Sequence, residues 1–281
     1  MKEYNNLSYS DQIELLEKRG MKFDNKERNA EKLKFINYYK LKELAYPFSE
    51  NTENGIVYRD ITFDDLIKRY YQDKNLRMNI LHCIEKIEVA FKTQFSHVLG
   101  KKYGAYGYLK FNNWMNKEKY CKYYISDKQG EFKEVLKEKV RRTNSINIRA
   151  HLKNNQTEKI PIWMLVEELS FGEVIRLYND MSIENKKVIS NTFACLSPEL
   201  ESWLNTLNFI RNRCAHNKNI IDIKIKTKPK LRGEWKDYLI INDNNQTSGH
   251  IADTIAPMVF LTTQINNSYN FFIFKGQLTI L

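Results

Sequence analysis

Seven apolar residues, Leu76, Ile80, Ile84, Ile87, Phe91, Phe95 and Val98, follow one another at spacings of 4, 4, 3, 4, 4 and 3. That is the period of one buried face on an α-helix, sustained over roughly two dozen residues. A stripe of this length must be covered by other helices. A second stripe, Leu200, Trp203, Leu204, Leu207 and Cys214, has the same period. Ser197 suits a helix cap and Pro198 the first helical position. The segment reads as a helix of roughly five turns, packed against the first at the centre of the domain. Glycine and proline number 10 and 5 in 281 residues, which disfavours a many-turned β fold.

The rest of the chain fits around these two helices. Ser10-Asp11 opens a short helix that Gly20 stops, and Asp24 or Asn25 caps a second one with Ala30, Leu33, Ile36 or Asn37, and Tyr38 inward. Pro47 closes that region, and residues 49–55 read as an exposed polar loop. Thr62 and Asp65 form a short capping box, and residues 73–75 are expected to bend or break the helix that follows. A charged helix is expected over 117–142, with Phe132, Val135 and Leu136 inward, then a polar linker or short helix over 145–156. Pro161 opens a further helix containing Trp163, Gly172 interrupts it, and Ser182 begins another. Beyond the second stripe, Ile221, Ile223 and Ile225 alternate with Asp222, Lys224 and Lys226, the period of a strand. Residues 238–241 would pair with it as a small basic hairpin, residues 250–265 lean towards a helix, and 271–281 read as a final strand. The expected organisation is an N-terminal helical segment (1–60), a helical core (61–219) and a basic tail (220–281), packed as one compact unit.

The net charge is +11. A basic chain meets acidic partners, nucleic acid or a membrane surface foremost. Codon bias towards Lys and Asn would also raise the charge, but its distribution is uneven. Residues 203–232 hold eight Lys or Arg and one acid, Asp222. Cys83, Cys121, Cys195 and Cys214 lie far apart with no Cys-x-x-Cys spacing, so they read as small hydrophobes rather than zinc ligands. His82, His97, His151 and His250 show no ligand spacing either, and neither a phosphate-binding glycine loop nor a Gly-x-Ser-x-Gly elbow is present. No cofactor is expected. The first residues lack the apolar run of a signal peptide, and residues 256–261 are too few to span a bilayer. A cytoplasmic chain without a membrane partner is expected.

The second stripe ends in Arg211-Asn212-Arg213-Cys214-Ala215-His216, inside the most basic part of the chain. Arg211, Asn212 and His216 resemble the Arg-x4-6-His motif of the HEPN superfamily. Six further words are similar to its abortive-infection, Abi-like branch, in the expected order: Leu16-Glu17-Lys18-Arg19-Gly20-Met21, Ile36-Asn37-Tyr38-Tyr39-Lys40-Leu41, Asn75-Leu76-Arg77, Ile84-Glu85-Lys86-Ile87-Glu88-Val89, Pro161-Ile162-Trp163-Met164-Leu165-Val166-Glu167 and Ser170-Phe171-Gly172. After Asn217 the chain departs, with Asn219-Ile220-Ile221 where members often carry a Trp-Asn pair. The resemblance implies a HEPN-type bundle and a metal-independent RNase, a toxin-like effector of phage defence. It also implies a homodimer whose two motif copies face each other.

The residue types suit that chemistry. RNA supplies its own nucleophile, the 2′-hydroxyl. His216 can move protons near neutral pH, Arg211 can hold a phosphate with paired hydrogen bonds, and Asn212 can fix the ring or the backbone. On one regular helix Arg211 and His216 stand about 140° apart. Either the helix ends near Ala215, or Arg211 acts with His216 of a second chain. Candidate RNA contacts are Arg77, Lys92, Arg213, Lys218, Lys224, Lys226 and Lys228. Glu85 and Glu88 are candidate supports; the plainer reading is an exposed Glu88–Lys92 pair worth ~0.2–0.5 kcal/mol. The expected partners are an RNA substrate, a second copy of the chain, and an antitoxin or guide-like non-coding RNA. The competing functions are a non-catalytic RNA-binding module bound to a regulatory RNA and a structural dimerisation domain.

Overall fold

A computed structural model describes residues 6–53, 55–155, 157–239 and 247–271. Among them eleven α-helices carry nearly all the regular structure, so the all-α expectation holds. The described chain gathers into two compact units. The first takes residues 6–80, Arg213–Lys224 and Phe271; the second takes the described parts of Leu81–Asn212 and Ile225–Asn270.

In the first unit, α1 (Tyr9–Lys18) begins two residues earlier than expected. Ser8 caps it and Asp11 reaches back to the Ser8 amide, a reciprocal box. Gly20 ends it in a left-handed turn (φ +92°), where a Cβ would meet the Tyr58 carbonyl oxygen at 2.6 Å. Asn25 caps α2 (Lys26–Leu33), but the expected single helix breaks at residues 34–37. The cause is Asn37, whose Oδ1 accepts from the Tyr39 amide at 2.9 Å and caps α3 (Tyr38–Ala45). A short 3-10 turn carrying Pro47 follows.

The stretch expected as a loop is a hairpin, β1 (Ser49–Thr52) against β2 (Gly55–Tyr58), with Glu50 opposite Val57. Asn54-Gly55 followed by Ile, Val and Tyr was the available signal. Helix α4 (Phe63–Tyr103) is capped by Thr62 as expected and runs unbroken for 41 residues. Residues 73–75 do not interrupt it. Around its start, Ile13, Leu16, Met21, Leu41, Leu44, Phe63 and Leu66 form the unit's core.

In the second unit, Ile84, Ile87, Phe91 and Phe95 of α4 are buried, as their spacing predicts. The remaining helices are α5 (Lys122–Arg142), α6 (Ile146–Asn155), α7 (Ile162–Glu168), α8 (Phe171–Asp180), α9 (Ile183–Thr192), α10 (Ser197–Ala215) and α11 (Ala252–Ile265). The Phe91 ring meets Phe171 and Tyr178 edge-on, at centroid distances of 6.2 and 5.3 Å. Val135 and Trp163 face solvent rather than the core. The break after α7 falls at Leu169-Ser170, not at Gly172, because Ser170 and Glu173 form a capping box for α8. Gly172 lies inside α8, where a Cβ would sit 3.1 Å from the Asn208 side chain.

The expected hairpin strand at 221–225 is absent: residues 221–222 form a turn and 223–225 carry no regular structure. The amides at its start are already engaged. Asp73 Oδ1 accepts from the Ile220 and Ile221 amides at 2.9 and 3.2 Å, and Asn219 Oδ1 accepts from Ile221 at 3.0 Å. An amide held by a carboxylate cannot join a ladder. The intended partner, 238–241, and the final strand, 271–281, fall largely outside the described residues. No helix among the described residues is long and apolar enough to cross a membrane.

Candidate functional site: the end of α10

Leu200, Trp203, Leu204, Leu207, Ile210 and Cys214 are buried, which turns the opposite side of α10 outwards. Asn212 is exposed and Arg211 half-exposed. Arg211 Nε lies 3.7 Å from Glu88 Oε2 on α4, while Glu88 Oε1 accepts from Lys92 Nζ at 2.9 Å. Arg211 Nη1 also approaches Asn212 Oδ1 at 3.4 Å. Glu88 therefore lies at loose ion-pair distance from the motif arginine and is itself held by Lys92. Glu85 is exposed and makes no ion pair among the described residues.

The helix ends at Ala215, the first of the two alternatives left by the motif's spacing. Asn217 adopts a left-handed conformation (φ +54°). Its amide donates to the Cys214 carbonyl at 3.1 Å, and the Lys218 amide donates to the Arg213 carbonyl at 2.8 Å. This pair of bonds is a Schellman closure, with His216 as the last residue before the left-handed one. His216 is exposed.

The turn that carries His216 is fixed from below. Arg77 Nη1 donates to Asn217 Oδ1 at 2.7 Å, and Arg77 Nε donates to Asp73 Oδ2 at 2.9 Å. Lys40 Nζ donates to the Asn217 carbonyl. Asp73 is fully buried and gathers Arg77 and the amides of Ile220 and Ile221 around one carboxylate. Burial lowers the Lys40 pKa, opposed chiefly by the Asp73 charge. Burial pushes the Cys214 thiol up to about 12, so it is no nucleophile at neutral pH.

Two expected RNA contacts stand elsewhere than on the surface. Arg77 is 4 % exposed and Lys92 8 % exposed, each paired within the chain. A polar stripe on a helix looks the same in sequence whether it meets water or internal partners. The Glu88–Lys92 pair is likewise sheltered, not on the exposed face of the plainer reading. Arg213 gives two hydrogen bonds to the Asn219 carbonyl, at 3.1 and 2.6 Å. Lys218, Lys224, Lys226 and Lys228 are exposed, and Lys228 Nζ donates to the Thr247 carbonyl at 2.8 Å. Sequence reasoning missed Asp73, Lys40 and Asn217. An asparagine just past a helix end was a legible signal for Asn217; the other two had none beyond the 73/77 spacing.

The family model for Abi-like proteins matches residues 31–222. The chain belongs to the Abi-like family. Membership suggests a role in abortive infection, a form of defence. The match takes in Asp73, Arg77, Glu88, Lys92, Arg211, Asn212, His216 and Asn217, and it stops before Lys224. No curated protein and no solved structure matches the chain.

Proposed function

We propose that the chain is a metal-independent endoribonuclease of HEPN type, an effector of abortive infection acting as a homodimer. The observation that carries this reading is the end of α10. An arginine beside a carboxylate, an exposed asparagine and an exposed histidine close one helix, and the turn after them is fixed by a buried Asp73–Arg77 pair. Buried ion pairs contribute little net stability, so their upkeep favours a positional role for that turn. In the proposed reaction His216 moves the proton between the 2′-hydroxyl and the leaving 5′-oxygen. Arg211 holds the charge that grows on the phosphate, and Asn212 orients one of them. The 2′-oxygen forms the new bond to phosphorus as the bond to the 5′-oxygen breaks, leaving a 2′,3′-cyclic phosphate and a 5′-hydroxyl. The second copy supplies the facing motif, since this chain has one.

The test is cleavage of a mixed RNA by the purified full chain in excess EDTA. His216→Ala is expected to abolish cutting while RNA affinity changes little. Arg211→Ala is expected to damage both, because it removes a phosphate contact and a transition-state charge. Asn212→Ala slows cutting and spares affinity. Activity lost in EDTA and restored by a divalent ion refutes the mechanism. Undiminished cutting by His216→Ala removes the motif from the chemistry.

A further inference from the structure

The exposed face of α3 carries a row of aromatic rings that the cleavage reading does not use. Phe35, just before α3, is 88 % exposed; Tyr39 on α3 is 69 % exposed and Tyr46, just after it, 68 %. Lys42 stands between the two tyrosines and makes no ion pair among the described residues. Spacings of 3 and 4 from 39 to 42 to 46 keep these three on one side of the helix, and Phe35, ahead of the break at Asn37, shares a hollow with Tyr39 and Lys42.

Two hollows flank this row within the first unit. Phe35, Tyr39 and Lys42 border one of about 610 Å³. Tyr39, Lys42, Tyr46, Arg213 and Lys218 border the other, of about 660 Å³, together with Glu43 and Asp222, which face Lys40 and Arg69 of the same chain. The same helix reaches the His216 turn, because Lys40 Nζ donates to the Asn217 carbonyl. Lys218 is the residue after that turn.

From this arrangement we infer that the α3 face is a single-strand RNA track leading to His216, on the reading that RNA is the substrate. Bases stack on Tyr39 and Tyr46, with Phe35 at the far end, and Lys42 and Lys218 take backbone phosphates. Flat rings alternating with cations fit a single strand, whose bases are free to splay, and do not fit a duplex, whose bases are stacked inside. The rival occupant is a second copy of the chain. A two-fold interface would set this lysine-studded face against itself, bringing like charges together. The phenol hydroxyls and lysines also break the apolar continuity that a dimer core needs.

The experiment uses the full chain and a short single strand bearing 2-aminopurine, 2′-O-methylated throughout so that nothing is cut. Stacking on the tyrosines is expected to quench the emission, and a matched duplex is expected to bind more weakly. Tyr39→Ala with Tyr46→Ala should lose the quench and about tenfold or more in affinity. Tyr39→Phe with Tyr46→Phe should keep both, which separates stacking from misfolding. Affinity and quench unchanged in the alanine pair overturn the track. So does a preference for duplex. If the alanine pair turns a dimer into a monomer on sedimentation while RNA affinity stays, the face is a copy interface and the inference falls. Tyrosine-dependent binding by a chain that never cuts the unmethylated strand leaves the track standing and removes the nuclease reading. Cutting in EDTA with no effect of the alanine pair on binding does the reverse.

Discussion

Asn217 holds a conformation that few residues tolerate, and three side chains or carbonyls meet on it. Its left-handed φ closes α10, its Oδ1 takes a bond from Arg77, and its carbonyl takes one from Lys40. Asn217→Gly keeps the turn and loses the Arg77 bond. Asn217→Ala loses the bond and adds about 1–2 kcal/mol of strain, so its denaturant midpoint should fall further than the glycine variant's. Arg77→Met leaves Asp73 buried without its cation and should cost about 3–5 kcal/mol, read from urea unfolding. Arg211, Asn212 and His216 were legible because the motif is local. Asp73, Lys40 and the true place of Arg77 were not, because their partners lie far along the chain; Arg77 and Asn217 are 140 residues apart.

Helices were legible wherever an apolar period and a cap coincided. The α4 seam, the α10 stripe and the caps at Asn25, Thr62 and Ser182 all read correctly. Two differences arise where a long-range bond competes with local pattern. The 221–225 alternation is strand-like, yet Asp73 and Asn219 take its first amides. The 73–75 region looked like a breaker, yet Asp73 is satisfied by Arg77 and those same amides, so the helix continues. Glu173 offers a test at this scale. Burial opposes its ionisation, but the Ser170 backbone and hydroxyl bonds and Lys139 outweigh it and hold the carboxyl below the usual glutamate range. A depressed folded value means stabilisation present above the unfolded value, about 4.3, and lost as pH falls through the folded one. Glu173→Gln keeps the box but loses the charge, and should therefore be less stable than the native chain by ~0.3–1 kcal/mol at pH 7. Thermal melts should show the gap closing as pH drops below about 4. A gap that stays constant down to pH 2 contradicts this account of the box.

At the scale of the molecule, the proposed chemistry lies in the most basic part of the sequence. Lys224, Lys226 and Lys228 are exposed and follow the motif in sequence. Replacing all three by Gln should weaken RNA binding and flatten the slope of log affinity against log salt by up to about 2. An unchanged slope makes them a solvated surface. The family and the helical class were legible from ordered sequence words and from periodicity, whereas the α3 face was not, because nothing in the pattern tells an exposed tyrosine from a buried one. On the proposed reading, His216 and Arg211 drive attack by the RNA's own 2′-hydroxyl. It is tested most directly by a defined single strand that the chain cuts at one mapped bond in EDTA, compared with the same strand carrying a 2′-deoxy nucleotide on the 5′ side of that bond. The native strand is expected to end in a 2′,3′-cyclic phosphate and the deoxy strand to survive at that bond. Cutting of the deoxy strand at an undiminished rate would contradict it.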